Sequence, residues 1–205
     1  MKMVFNFNSR LLTMALSCAL VLLGLTATAQ ADQTFFTKKE ILRDFFPKSD
    51  KVSFEKFTPT KAQRQGLHRR LGYDLARSSY YIFVASSTSD SGSKTVDGYA
   101  IIDDQMGQHK PITFAVKLSP EGVVLRQEVM VYRESHGDEI CSRRFSKQFN
   151  GKTVSDALRP NKDIDTISGA TISSRAITMG VKRVLVLFDA AIATPRTMRI
   201  SQSAR

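Results

Sequence analysis

Between Ser79 and Tyr132 the chain alternates four β-rich runs with connections too short to cross a sheet, and no other feature limits its fold so tightly. The runs are Tyr80–Ala85, Val96–Ile102, Ile112–Leu118 and Val123–Tyr132, rich in Val, Ile, Tyr and Phe. Turn chemistry separates them: Ser86 to Lys94, the loop around Gly107, and Ser119-Pro-Glu-Gly122. Parallel neighbours need a crossover of a dozen or more residues, so these strands are expected to pair as an antiparallel meander. The flanking segments read as helices. The expected class is therefore α+β, an antiparallel β-meander packed with helices.

Two capping boxes mark helix starts before the strands. Thr37-Lys-Lys-Glu40 precedes Ile41, Leu42, Phe45 and Phe46 at helical spacing, and Pro47 stops that helix. Thr60-Lys-Ala-Gln63 opens a basic helix with Leu67 and Leu71 on one side and Gly72 at its end. After a polar loop at Glu134–Glu139, the segment Ile140–Phe149 reads as a short helix with Phe145 and Phe149 one turn apart, ended by Asn150-Gly151. A last helix is expected from about Ser168 to Ala193, stopped by Pro195.

The N-terminus reads as a secretory signal: Lys2 and Arg10, an apolar run from Leu11 to Leu25, then a small-residue ending at Ala29-Gln-Ala31. Cleavage after Ala31 is expected, giving a periplasmic protein, with an uncleaved inner-membrane anchor as the alternative. The division of the chain is then 1–31 signal peptide, 32–94 N-terminal helices and first strand, 95–193 the remainder of the same domain, and 194–205 a flexible tail. Of the 205 residues, 30 are Lys or Arg and 19 are Asp or Glu, a net charge of +11. Lys2 and Arg10 are the only charged residues of the first 31, so the rest carries +9. That excess suits an acidic partner or an anionic membrane surface rather than nucleic acid. Beyond the signal only Cys141 remains, which rules out an internal disulfide or a cysteine-held metal cluster there. His68, His109 and His136 lie in unrelated segments without metal-ligand spacing.

The informative string is Asp165-Thr-Ile-Ser-Gly-Ala-Thr171, where a loop turns into the last helix. Ser168 reads as the N-cap, which places Thr171 at the third helical position beside unpaired backbone N–H groups. A phosphate on the Thr171 hydroxyl would sit at the positive end of a helix dipole. Gly169 and Ala170 add no bulk beside that hydroxyl, and Ser173 and Ser174 offer further donors.

With Asp165 in place and a helix following, the string resembles the D-x-x-(S/T)-G-A-T motif of the FMN-binding domain family. In that family the last threonine receives FMN through a phosphoester bond. Members include the FMN-bearing subunit of the sodium-translocating NADH:quinone oxidoreductase, its counterpart in the Rnf complex and small exported flavoproteins. Asp165, Ser168, Gly169, Ala170 and Thr171 match the motif position by position. Val96–Asp103, Gly107–Phe114 and Tyr132-Arg-Glu-Ser135 look like further family landmarks, so the resemblance spans about residues 95–190. One departure is Glu134-Ser-His-Gly137, where the respiratory-complex members have Glu-Thr-Pro-Gly.

The resemblance implies covalent FMN on Thr171, installed by a magnesium-dependent FAD:protein FMN transferase. It further implies an electron carrier that serves a cytochrome, a reductase or a membrane oxidoreductase. The chain shows no Ser/His/Asp set and no recognisable carboxylate pair, so an enzyme in its own right is not expected. Two other readings compete: a flavin-dependent reductase component, and a basic binding module without flavin.

Overall fold

The computed structural model describes residues 32–195. The signal segment expected at 1–31 and residues 196–205 of the tail expected at 194–205 lie outside the described residues, while Thr194 and Pro195 continue the last helix. Six strands form one antiparallel sheet: β1 (Gln33–Thr34), β2 (Lys51–Phe57), β3 (Tyr80–Thr88), β4 (Lys94–Met106), β5 (Pro111–Leu118) and β6 (Val124–Tyr132). Their order across the sheet is β1-β6-β5-β4-β3-β2. The four expected runs are the meander β3 to β6, each antiparallel to the next.

The helices are α1 (Lys38–Phe45), α2 (Lys61–Leu71), α3 (Arg143–Ser146) and α4 (Thr171–Phe188), the last continuing as a π-helical turn over Asp189–Ala193. Both capping boxes are formed. Thr37 accepts from the Glu40 N–H while Glu40 reaches back to the Thr37 N–H, and Thr60 and Gln63 repeat the exchange. Gly72 closes α2 at φ +82, the left-handed conformation that a Cβ disfavours.

Each face of the sheet buries a different helix. On one face Ile177, Val181, Val184 and Phe188 of α4 pack on Ile82, Ile101, Phe114 and Leu118. Gly180 brings α4 onto the sheet so closely that a Cβ there would lie 2.5 Å from a ring carbon of Phe114. On the other face Ile41, Phe45 and Phe46 meet Ala85, Ala100 and Ala115, small residues that leave room for the aromatic rings of α1. A polar tie fixes α4 to β4: Arg183 donates to Asp103 at 2.7 Å, to Gln105 at 2.6 Å and to the Asp104 carbonyl at 2.7 Å.

Two elements differ from the sequence reading. Residues 140–149 are not one helix, because Ser142 takes an extended backbone and caps a fresh turn, dividing the segment into Asp138–Cys141, α3 and Lys147–Phe149. Phe145 and Phe149 nonetheless pack edge-on at 5.5 Å. The sheet also gains β1 and β2. β2 is an edge strand exposed on both faces; Val52 and Phe54 alternate with Lys51, Ser53 and Glu55, a strand pattern only five residues long and not matched by burial.

Candidate functional site

The chain enters α4 through a turn in which the Ala170 N–H donates to the Ile167 carbonyl at 3.0 Å. Gly169 sits in that turn at φ +84, a conformation open to glycine and strained for other residues. The turn corrects the expected cap. Ala170, not Ser168, is the N-cap, it supplies no side-chain acceptor, and Thr171 is the first helical residue rather than the third. The left-handed backbone at Gly169 is the cause, since it turns the chain before the helix begins. The first helical bond runs from the Ser174 N–H to the Ala170 carbonyl at 2.8 Å. The amides of Thr171, Ile172 and Ser173 therefore have no intrahelical acceptor, and no capping side chain covers them.

Thr171 is half-buried at a groove of about 390 Å³ whose other walls include His109, Glu134, His136, Ala170 and Ser173. Its hydroxyl donates to the Ile167 carbonyl at 3.5 Å, a bond so long that little is lost if the oxygen is substituted. The loop Glu134–Gly137, which departs from the respiratory-complex pattern, forms the opposite wall. Glu134 Oε1 accepts from the N–H groups of His109 at 2.7 Å and Lys110 at 3.0 Å, tying the β4–β5 hairpin to the end of β6. Burial alone would raise the Glu134 pKa, but the backbone N–H groups of Lys110, His109 and Gln108 outweigh it and hold the carboxyl below its usual range.

Tyr132 joins that wall to α4. Its hydroxyl donates to the His136 carbonyl and lies 3.0 Å from Ser173 Oγ. A Cβ on Gly137 would come within 3.3 Å of Ala170, so the loop rests directly on the start of the helix. Ser173 thus lines the groove with its hydroxyl engaged to Tyr132. Ser174 does not reach the groove at all: it is fully buried, and its Oγ accepts from the Ile167 N–H at 3.2 Å.

The rest of the motif faces elsewhere. Asp165 and Ser168 line a separate groove of about 550 Å³ with Glu139, Arg144 and Gln148. Gln148 grips the backbone of Asp165 from both sides, accepting from its N–H at 2.7 Å and donating to its carbonyl at 3.2 Å. That grip leaves the Asp165 carboxylate exposed. Sequence reading missed Gln148, for a glutamine in a short helical turn carries no signal of its distant partner. The role of Tyr132 was equally hidden, because its hydroxyl acts across 41 residues.

Cys141 packs against the core, and burial, aided by Asp138, Glu128 and Glu139, pushes its thiol up to about 12. It is therefore a protonated packing residue at neutral pH. Among the described residues no cluster of His, Cys, Asp and Glu is placed to hold a metal ion, and no helix is long and apolar enough to cross a membrane.

The residues at the groove fit a phosphorylated ligand. They offer a hydroxyl for attachment, uncapped helix amides for an anion, and at Gly169 an open approach, with nothing within 4 Å of a built Cβ.

Comparison with known proteins bears on the same segment. The G component of the proton-translocating ferredoxin:NAD(+) oxidoreductase complex of Clostridium ljungdahlii is 30% identical over 105 residues, which is 47% of this chain and 56% of that protein. The chain thus spans about half the length of that relative. The crystal structure of Shewanella oneidensis NqrC superposes with a TM-score of 0.51 over 76% of this chain and 88% of that one; at 15% identity the likeness is one of fold. The family model for the FMN-binding domain matches residues 107–186, the stretch that holds both walls of the groove and the start of α4. The family that residues 107–186 match is therefore the FMN-binding domain, the same family that Asp165–Thr171 resembles on its own.

Proposed function

We propose that the protein is an exported electron carrier holding FMN through a phosphoester on Thr171. The observation that carries this reading is the Thr171 hydroxyl at the groove, beside three helix amides without an acceptor and inside the matched FMN-binding domain. Attachment requires an FAD:protein FMN transferase: the Thr171 Oγ bonds to the phosphorus of the FMN half, the pyrophosphate bond breaks, AMP leaves, and the hydroxyl proton passes to solvent or to a base of the transferase. A phosphate diester at this helix start gains about 0.3–1 kcal/mol from the dipole, and up to about 2 kcal/mol where partly buried. The flavin, when bound, supplies one- and two-electron transfer.

The chain's own residues then have separate duties. Thr171 anchors, Tyr132 and Glu134 hold the far wall, and Gln148 presents the Asp165 loop outward, where a transferase gains access to it. The relatives are one component of a proton-translocating oxidoreductase complex and a protein of the same fold, which supports a redox partner such as a membrane oxidoreductase, a reductase or a cytochrome. Export to the periplasm follows from the reading of residues 1–31. The experiment is to express the full chain with and without the transferase and record flavin absorbance after denaturation and gel filtration. Flavin that stays with the denatured chain only when the transferase is present supports the reading; colourless protein under both conditions overturns it.

A further inference from the structure

Strand β2 ends the sheet, so one side of its backbone has no neighbouring strand among the described residues. Its apolar side chains are open too. Phe54 is 62% exposed and Tyr81 beside it 48% exposed, their rings edge-on at 5.5 Å, and Phe83 lies 6.4 Å from Phe54. With Lys38 and Ile102 these rings line an open groove of about 430 Å³ on the face shared with α1. Natural proteins blunt such edges with Pro, bulges or charges placed to repel a second strand. This edge has no Pro, and its charges are arranged differently.

From Asp50 to Lys56 the sequence reads Asp-Lys-Val-Ser-Phe-Glu-Lys. About Ser53 the charges are self-complementary: Asp50 mirrors Lys56, Lys51 mirrors Glu55, and Val52 mirrors Phe54. Among the described residues none of the four charged side chains is engaged in an ion pair. Asp50 Oδ2 accepts from the Thr88 N–H at 2.7 Å, and its second carboxylate oxygen remains available.

We propose that β2 is a homodimer interface, in which two copies pair antiparallel about a two-fold axis at Ser53. Directly opposed residues of an antiparallel pair share a face, so this register sets Val52 against the partner's Phe54 and Lys56 against the partner's Asp50 on the α1 face. On the other face Lys51 meets the partner's Glu55 and Ser53 meets its own symmetry mate. Charge complementarity selects this register. A shift of the axis by one residue to Phe54 puts Lys56 on Val52, and a shift to Glu55 stacks two glutamates. The contact is isologous, so it closes at two copies and uses up the β2 edge of both, leaving only the two-residue β1 at each end of the joined sheet. The groove at Thr171 lies in the β4–β5 hairpin and α4 segments, outside β2, so each copy keeps its own groove open.

Sedimentation velocity on the purified protein, from about 1 to 100 μM, tests this. A monomer–dimer equilibrium is expected. Glu55→Lys and Lys51→Glu should each weaken it at least tenfold by setting like charges opposite one another, and the double variant Lys51→Glu/Glu55→Lys should restore it. Ser53→Cys, with Cys18 and Cys141 changed to Ser, should form an interchain disulfide under mild oxidation, whereas Glu55→Cys in the same background should not. A wild type that stays monomeric at about 100 μM, or a dimer indifferent to all these changes, overturns the proposal. So does monomeric protein that binds phosphatidylglycerol vesicles and loses binding on Phe54→Ser, which would make this face a lipid-docking surface.

Discussion

Arg183→Leu is expected to cost about 3–5 kcal/mol of folding stability, the usual penalty for stranding one member of a buried ion pair. The Arg183 side chain is 11% exposed and that of Asp103 only 2%, so water cannot replace the lost donor. The substitution deletes three charge-assisted bonds at once, to Asp103, Gln105 and the Asp104 carbonyl. Arg77, 3.1 Å from the other Asp103 oxygen, still offsets part of the charge but lies on the exposed side of the pair, which places the loss toward the lower end. Against a total stability of about 5–15 kcal/mol, even 3 kcal/mol is a large share. Urea denaturation followed by circular dichroism measures it. The companion variant Asp103→Leu/Arg183→Leu should recover more than half of the loss, because no charge is then left buried without its partner. A loss below about 1 kcal/mol in Arg183→Leu would refute the idea that this pair, and not apolar packing alone, fixes α4 on β4.

Three further perturbations probe the groove and the helix behind it. Glu134→Gln should cost about 1 kcal/mol at pH 7 by removing the charge that the His109 and Lys110 amides favour. Because the folded pKa of Glu134 is depressed, that difference should be complete above the ordinary glutamate value of ~4.3 and vanish as pH falls through the folded value, which thermal melts across pH 3–7 would follow. Tyr132→Phe should leave Ser173 and the His136 carbonyl without their partner and lower the melting temperature by about 2–8 °C, from a loss of ~1–2 kcal/mol. Gly180→Ala should destabilise despite a helix-propensity gain of about 1 kcal/mol, since the new methyl meets the buried Phe114 ring at 2.5 Å and overpacking costs about 1–3 kcal/mol. Chemical denaturation showing a more stable Gly180→Ala would mean that Phe114 yields more easily than its burial implies.

The parts of this fold written in local sequence were legible. The meander was visible because short Gly and Ser turns forbid any other pairing of the runs in β3 to β6, and both capping boxes announce their helices within four residues. What depended on distant partners was not. β2 is half of a pairing with β3 and buries neither face, so the alternation of Val52 and Phe54 with Lys51, Ser53 and Glu55 is a strand signal only five residues long, without a turn or a buried face to reinforce it. The helix start at Thr171 lies two residues beyond the expected one because a serine before a helix is ordinarily its cap, whereas here the conformation of Gly169 decides. Asp165 to Thr171 reads as one string, but the fold turns its two ends into different grooves, and only the backbone of the turn tells which residues share one.

The most direct test of covalent attachment is the comparison of wild type with Thr171→Ala, each expressed with the transferase and run on a denaturing gel under ultraviolet light. Alanine keeps the helix and the free amides while deleting the only side-chain oxygen at that position, so folding should persist. The expected result is a fluorescent wild-type band, its intact mass raised by one FMN less one water, and a dark Thr171→Ala band of unmodified mass. Covalent fluorescence persisting in Thr171→Ala would contradict the assignment of Thr171 as the flavin's anchor.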